Sequence, residues 1–484
     1  MKRVISAATL LAFLLVMALP AMAQDMKNDD PVPAYTPPAV VDASPVQLPS
    51  ITKKVLKNGL TVYFIPQKEV PLVSFQLKFP TGSLYNPNDK PGLTDMMAEL
   101  LTKGTTKRSA TEFAETIDFI GAYLATGAGN NTTYILADVM SHDIELALDM
   151  ISDIVMNPTF PEEELEREKM LTISSLMASK DDPDAIASRA WAKWVYGEHP
   201  YGYSSSGTIE SVQQLTRDDI IAQQKRLLIP NNAIFAITGD FDLKKAQKLV
   251  NKYFAKWEKG EIPAPTAEPV QIGEGGKVLL VDKPDAVQTQ IRMGYILGPY
   301  YMGEDHFTFK LMDYLFGGGG FSSRLMIRVR NELGLTYGIY SSLDPRQQNG
   351  AYTIETSTQT AKTEEMIDEI YAMFDTVLND GFTQEELDEA KAFLIGSYPR
   401  QFETPAQIAK RFQTLLLFDF GDPDQYIAQY RQNVADVTLE QVNAMAKKYL
   451  QKENVRITVV GQASEIGEVM TKYGDVETAS VDEF

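Results

Sequence analysis

A duplicated α+β fold is what this sequence predicts, and three observations carry the prediction. At 484 residues the chain is longer than one ordinary core needs, so more than one domain is expected. Hairpin strands and helices are mixed along it, as in α+β proteins. Three pairs of segments also match across its length. Phe160-Pro161-Glu162-Glu163-Glu164-Leu165 resembles Phe382-Thr383-Gln384-Glu385-Glu386-Leu387, Leu215-Thr216 resembles Val437-Thr438, and Ile237-Thr238-Gly239 resembles Val459-Val460-Gly461. The differences 383 − 161, 438 − 216 and 461 − 239 all equal 222. The expected architecture is therefore two homologous α+β halves, with mixed sheets and helices packed on one face.

The elements follow in order. Lys2 and Arg3, the apolar run Ala7 to Leu19 and the Ala21-Met22-Ala23 site form a secretory signal pattern, with cleavage expected after Ala23. Residues 24–52 are proline-rich and read as an extended arm. Asn58-Gly59 lies between β-rich runs and signals a hairpin, and Val73 to Phe79 alternates like a half-buried strand. Helices are expected from Gly92, from Ser109 to Ile120, and from Ile144 to Val155. Strands are expected at 122–126 and 132–139, a long helix after Pro161, and another strand at 232–238. The first half thus spans 53–252, a Lys/Glu/Pro/Gly-rich linker 253–277, and the second half 278–484.

Composition narrows the function. A net charge of −20 argues against nucleic acid or an anionic membrane surface as partner, and permits extended or basic peptides. With no cysteine there is neither a disulfide framework nor a lipid-attachment site. Once the signal is removed no stretch is apolar enough to span a bilayer, so a periplasmic or secreted location is expected.

The most informative stretch is Gly92 to Thr105. Leu93, Met96, Met97, Leu100 and Leu101 recur at helical spacing, and Asp95, Ala98 and Glu99 share one face of about one turn. An inverted zinc-peptidase motif, His-x-x-Glu-His, presents two ligands and a general base in that geometry. Here the same places hold Asp-x-x-Ala-Glu.

With the repeat, this stretch resembles the pitrilysin/insulinase family of zinc peptidases. Asn58-Gly59-Leu60, Gly82-Ser83, Phe316 to Leu325 and Arg330-Asn331-Glu332-Leu333-Gly334-Leu335-Thr336-Tyr337 carry the resemblance further. It implies that Asp95 and Glu99 stand where two zinc-binding histidines belong, and Ala98 where the general base belongs. Ser175, with 175 − 99 = 76, stands where the third ligand belongs. All four positions depart from the family pattern, so no metal and no catalytic residue is expected on this chain alone. Alanine cannot act as a base, and loss of a positioned base alone costs about 10²–10⁴ in rate. Asp95 and Glu99 read either as a hydrogen-bonded acidic pair or as ligands for a hard cation.

The resemblance also assigns Arg330 and Tyr337 to substrate binding near the scissile bond, the tyrosine helping to stabilise the oxyanion. The other reading is a surface salt-bridge arginine and a core tyrosine. Some family members divide labour between two chains. The expectation is a non-catalytic, substrate-binding subunit whose homologous partner carries the zinc, with extended peptides adding near residues 122–139. A peptide-binding or structural scaffold of the same fold is the alternative, and a self-sufficient hydrolase built on Asp95 and Glu99 a third reading. His142, His199 and His306 lack partners at ligand spacing and read as surface or capping residues. Gly317 to Gly320 reads as a turn rather than a phosphate loop, since no Gly-Lys-Ser/Thr follows.

Overall fold

The Asn58-Gly59 turn joins two antiparallel strands, β1 (Thr52–Val55) and β2 (Thr61–Pro66), as the sequence expects. The computed structural model describes residues 44–271 and 276–484; the signal pattern and the arm up to residue 43 lie outside the described residues. The first half continues with β3 (Leu72–Phe79), α1 (Leu93–Glu99), α2 (Ala110–Phe119), β4 (Tyr123–Ala128) and β5 (Thr133–Met140). Then come α3 (Ile144–Met156), α4 (Glu162–Ala178), α5 (Pro183–Tyr196), α6 (Ile209–Gln214), α7 (Arg217–Leu227), β6 (Ile234–Gly239) and α8 (Leu243–Phe254). The second half runs β7 (Lys277–Asp282), β8 (Gln288–Ile296), α9 (His306–Asp313), β9 (Ile339–Leu343) and β10 (Ala351–Gln359). It ends with α10 (Thr363–Asp380), α11 (Gln384–Ser397), α12 (Pro405–Leu417), α13 (Pro423–Asp436), α14 (Leu439–Tyr449), β11 (Arg456–Gly461), α15 (Ala463–Met470) and β12 (Asp475–Ser480).

Local chemistry sets many of these boundaries. Ser109 and Glu112 form a reciprocal capping box at the start of α2, and Thr383 with Glu386 does the same for α11. The boxes Thr216/Asp219 and Thr438/Gln441 start α7 and α14, so even the helix caps repeat.

Each half builds one six-stranded mixed sheet, ordered β1-β2-β6-β3-β5-β4 and β12-β7-β11-β8-β10-β9. The strands β2 and β6 pair in parallel, as do β7 and β11; the three strands beyond them, β3-β5-β4 and β8-β10-β9, run antiparallel, and at the other edge β1 adds antiparallel to β2 while β12 adds parallel to β7. The spacing of 222 holds for α4/α11, α5/α12, α7/α14 and β6/β11, which begin at 162/384, 183/405, 217/439 and 234/456. Earlier in each half it is 216: β2/β7, β3/β8 and β4/β9 begin at 61/277, 72/288 and 123/339.

Own-half helices cover one face of each sheet. Phe75, Leu77 and Ile135 share a core with Met97, Leu148 and Ile151. The opposite face takes one helix from the other half, and the exchange is reciprocal. α5 lies on β8 and β11, while its repeat mate α12 lies on β3 and β6. Ile186, Ala187 and Ala190 pack on Leu279, Val281 and Val460, and Trp191 donates through Nε1 to Thr353 Oγ1 at 3.0 Å. In the other direction Gln413 Nε2 donates to Gln76 O (2.6 Å) and Ile234 O (3.0 Å), and Gln76 Nε2 donates to Ala406 O at 2.9 Å.

Residues 255–271 and 276, expected as linker, contain no helix or strand, whereas Tyr253 and Phe254 form the last turn of α8. The segment is tied down at several points. Thr266 bonds Leu84 O through both N (3.2 Å) and Oγ1 (2.8 Å), while Gln348 and Asn349 of the second half donate to Ala267 O and Val270 O.

Candidate functional site

Helix α1 is pinned at its first turn. Thr94 donates through N and Oγ1 to Asn86 Oδ1 (3.0 and 2.5 Å), and Gln223 Nε2 donates to Thr94 Oγ1 at 2.8 Å. Gly92 sits at φ +89°, where a Cβ would lie 2.7 Å from Ser206 O. Gly207, at φ +83°, makes the reciprocal close approach, its would-be Cβ 2.5 Å from Pro91 O. Two glycines thus let the 204–207 loop touch the start of α1, and that contact delivers Ser206 to Asp95.

Asp95 is hydrogen-bonded rather than open. It accepts from Ser206 Oγ at 2.7 Å and from Ala128 N, at the end of β4, at 3.4 Å. Burial pushes its carboxyl above the ordinary value, opposed by those two bonds. Ala98 is wholly buried and contributes packing. Glu99 points to solvent, and its carboxyl is also pushed up, first by partial burial and then by the charges of Asp95 and Glu168, against the pull of Lys103. The Tyr134 hydroxyl beside them is raised by burial and by the same two carboxylates, Glu99 and Asp95.

Helix α4 brings Glu168 to this region, ion-paired to Lys103 at 2.9 Å and close enough for its charge to act on Glu99. Ser175 is exposed seven residues further along α4, two turns or about 10 Å up the same stripe. Sequence counting names the Glu166–Glu168 frame but cannot foresee that Lys103 ties it to the turn following α1, nor that Ser206 reaches Asp95. The donor set does not fit zinc: Asp95 is already engaged, Ala98 has no donor, and the rest are oxygens bound to a lysine or turned to water. Among the described residues no three His, Asp or Glu side chains are grouped to hold a metal ion.

Arg330 and Tyr337 lie in the second half, and no hydrogen bond or ring contact joins either to Asp95 or Glu99 among the described residues. The chain around Arg330 departs from ordinary helix, with π-helical turns at Tyr314–Gly318 and Ile327–Glu332. The glycine run expected as a turn therefore begins inside the first of these. Arg324 is held by Glu386 and Arg328 by Glu369 and Glu332. Arg330 has no carboxylate partner among the described residues; its guanidinium lies 4.3 Å from the centre of the exposed Phe321 ring. Tyr337 is 89% exposed, so it is not a core tyrosine.

The loop carrying Tyr337 is nonetheless fixed. Thr358 Oγ1 donates to Leu335 O (2.7 Å), Thr356 Oγ1 to Gly338 O (2.9 Å), and Gly338 N to Thr336 Oγ1 (3.1 Å). A fixed backbone thus presents the Tyr337 phenol to solvent, and Arg330, seven residues earlier, lies against Phe321 with no carboxylate partner among the described residues. Both can donate to a carbonyl oxygen that gains negative charge.

The histidines divide. His142 is exposed, and His199 caps a short turn by accepting from Tyr201 N at 3.1 Å. His306 departs from the surface expectation: it is packed among Tyr301, Phe307, Phe420 and Tyr426, and burial pushes its pKa down to about 3.

The edge strand β4, within the stretch proposed for peptide addition, pairs with β5 alone among the described strands. Its last residue, Ala128, is the one bonded to Asp95, so the free edge ends at α1.

The family is settled by comparison. The profile for Insulinase (Peptidase family M16) matches residues 62–208, and that for the Peptidase M16 inactive domain matches residues 214–394. The chain belongs to the M16, or insulinase, peptidase family. It is 28% identical over 409 residues to an uncharacterized zinc protease of Mycobacterium leprae, covering 83% of this chain and 90% of that protein. It is 24% identical over 399 residues to the non-peptidase homolog YmxG of Helicobacter pylori, covering 81% and 89%. Among solved structures, the peptidase M16 inactive domain from Pseudomonas fluorescens matches with TM-score 0.79 and 26% identity over 85% of this chain and 98% of that one. The periplasmic protease PqqL from Escherichia coli shares the fold at TM-score 0.73 and 16% identity, over 89% of this chain and 49% of that one.

Proposed function

We propose that this chain is the substrate-gripping, non-catalytic subunit of a two-chain periplasmic zinc peptidase. A homologous partner supplies the zinc and the general base; this chain supplies Arg330 and Tyr337. The observation that carries the reading is the contrast between the two sites. On the α1 face Asp95 is taken up by Ser206, Ala98 has no donor and the nearby Glu168 is paired to Lys103, whereas Arg330, in a π-helical turn, has no carboxylate partner among the described residues and Tyr337 stands exposed on a loop braced by Thr356 and Thr358.

An extended peptide adds to the β4 edge by main-chain hydrogen bonds. Arg330 and Tyr337 would donate to the scissile carbonyl oxygen as it gains negative charge, and a zinc ion held by the partner would supply the activated water. The zinc lies on the partner and none on this chain. The similarity to a protein named a non-peptidase homolog supports the second reading, a peptide-binding scaffold with no part in hydrolysis.

The test is reconstitution. The purified chain is mixed with an M16 homologue that carries His-x-x-Glu-His, and cleavage of a fluorogenic peptide library is followed. The proposal expects a stable heteromer that cleaves while this chain alone does not. Complex formation without any gain in cleavage favours the scaffold, and chelator-sensitive cleavage by this chain alone contradicts both.

A further inference from the structure

We propose that the open cleft between the β4–β5 turn and helix α12 binds an amphipathic monocarboxylate of single amino-acid size, its carboxylate on Lys78 and its apolar end against Tyr300 and Phe418.

The cleft measures about 430 Å³ and is lined by Lys78, Asn130 and Thr132 of the first half and Tyr300, Arg346 and Thr414 of the second. Clefts of this size take small ligands rather than protein surfaces. A second hollow of about 270 Å³ shares Tyr300, Arg346 and Phe418 and continues the apolar wall with Pro299 and Tyr301. Tyr300 and Phe418 meet edge to face at 5.2 Å, so the wall is a formed aromatic surface.

Charge defines the other end. Lys78 is on β3, on the face that α12 covers, two residues from Gln76, which donates to Ala406 O. Among the described residues neither Lys78 nor Lys410 of α12 has an ion pair, although the chain carries 65 acidic residues against 45 basic ones. Burial and the neighbouring Lys410 push the Lys78 ammonium down to about 8, as for a cation lacking its counter-charge. Arg346 is different: Asp344 holds it at 3.1 Å. Lys410 is exposed and outside the lining, and Asp344, also on the cleft wall, is the partner of Arg346, so Lys78 is the one cation of the lining left without a counter-charge, which matches a single negative charge better than a phosphate dianion. A buried cation that gains a carboxylate recovers part of its desolvation cost, which is the driving force for binding. Since the lining comes from both halves, the ligand bridges them.

Isothermal titration of the full chain tests this with N-acetyl-L-phenylalanine, its uncharged amide, and phenyl phosphate. Saturable binding of the acid is expected, with the amide at least about tenfold weaker, the factor for one charge-assisted hydrogen bond. Lys78→Met is expected to weaken the acid by a similar factor, and Phe418→Ala to weaken acid and amide together. No saturable heat with the acid overturns the proposal, as does equal binding of acid and amide. Tighter binding of phenyl phosphate overturns the monocarboxylate assignment. If Lys78→Met fails to fold, the acid–amide comparison in the unaltered chain and the Phe418→Ala result decide.

Discussion

Three arginines within one stretch of the second half show how partners define roles. Arg324 and Arg328 are locked to glutamates, and Arg330 is left against a phenyl ring. Removing a side chain that touches only solvent changes stability by less than about 0.5 kcal/mol, so Tyr337→Ala is expected to melt like the unaltered chain. Arg324→Ala strips the buried side of Glu386 of its bidentate partner and is expected to lower the melting temperature measurably. Equal melting of the two variants, read by calorimetry, contradicts this division.

The acidic helix face makes a pH prediction. Both Asp95 and Glu99 have folded pKa values raised above their unfolded ones, so their protonated forms stabilise the fold at low pH, and that contribution is lost as pH rises through the raised values. Glu99→Gln removes one of two like charges one turn apart, worth about 0.2–0.5 kcal/mol. The variant is expected to be the more stable at pH 7 and to match the unaltered chain at pH 3. A gain that is the same at both pH values rules out charge repulsion as the cause.

At the scale of elements, the strands and most helices of the first half were legible because their signals are local. The Asn58-Gly59 turn, the alternation in β3 and the Ser109 cap each act within a few residues. The spacing of Asp95, Ala98 and Glu99 on one turn was legible for the same reason. The reach of Ser206, the Lys103–Glu168 pair and the bare state of Arg330 were not, since each depends on segments far apart in sequence. The π-helical turns also escaped, because an extra residue per turn leaves no mark in a short apolar period.

The Gly92 contact yields an element-level prediction. Gly92→Ala meets both a positive φ and a Cβ position 2.7 Å from Ser206 O, so it is expected to cost more than about 1 kcal/mol and to shift the Ser206 loop. Gly121, also at positive φ but with open space around its Cβ position, isolates the backbone share of that cost. If Gly92→Ala and Gly121→Ala destabilise equally in urea, the close approach has no energetic role.

For the molecule as a whole, the reciprocal exchange of α5 and α12 matters more than the connecting segment. The repeat gave two halves, but it could not reveal that each lends a helix to the other's sheet. Buried bonds such as Gln413 to Gln76 O make each half incomplete without its mate. Cleavage within residues 258–271 is therefore expected to leave two fragments that co-elute in size-exclusion chromatography and unfold together. Separation without denaturant contradicts that dependence.

The central claim, that this chain grips what a partner cuts, is tested most directly by kinetics of the reconstituted two-chain enzyme. With zinc and general base intact on the partner, Arg330→Ala and Tyr337→Phe in this chain are expected to lower kcat/KM by about 10²–10³, the usual loss for one oxyanion donor, without weakening subunit association. Full activity of both variants in an intact complex contradicts the account.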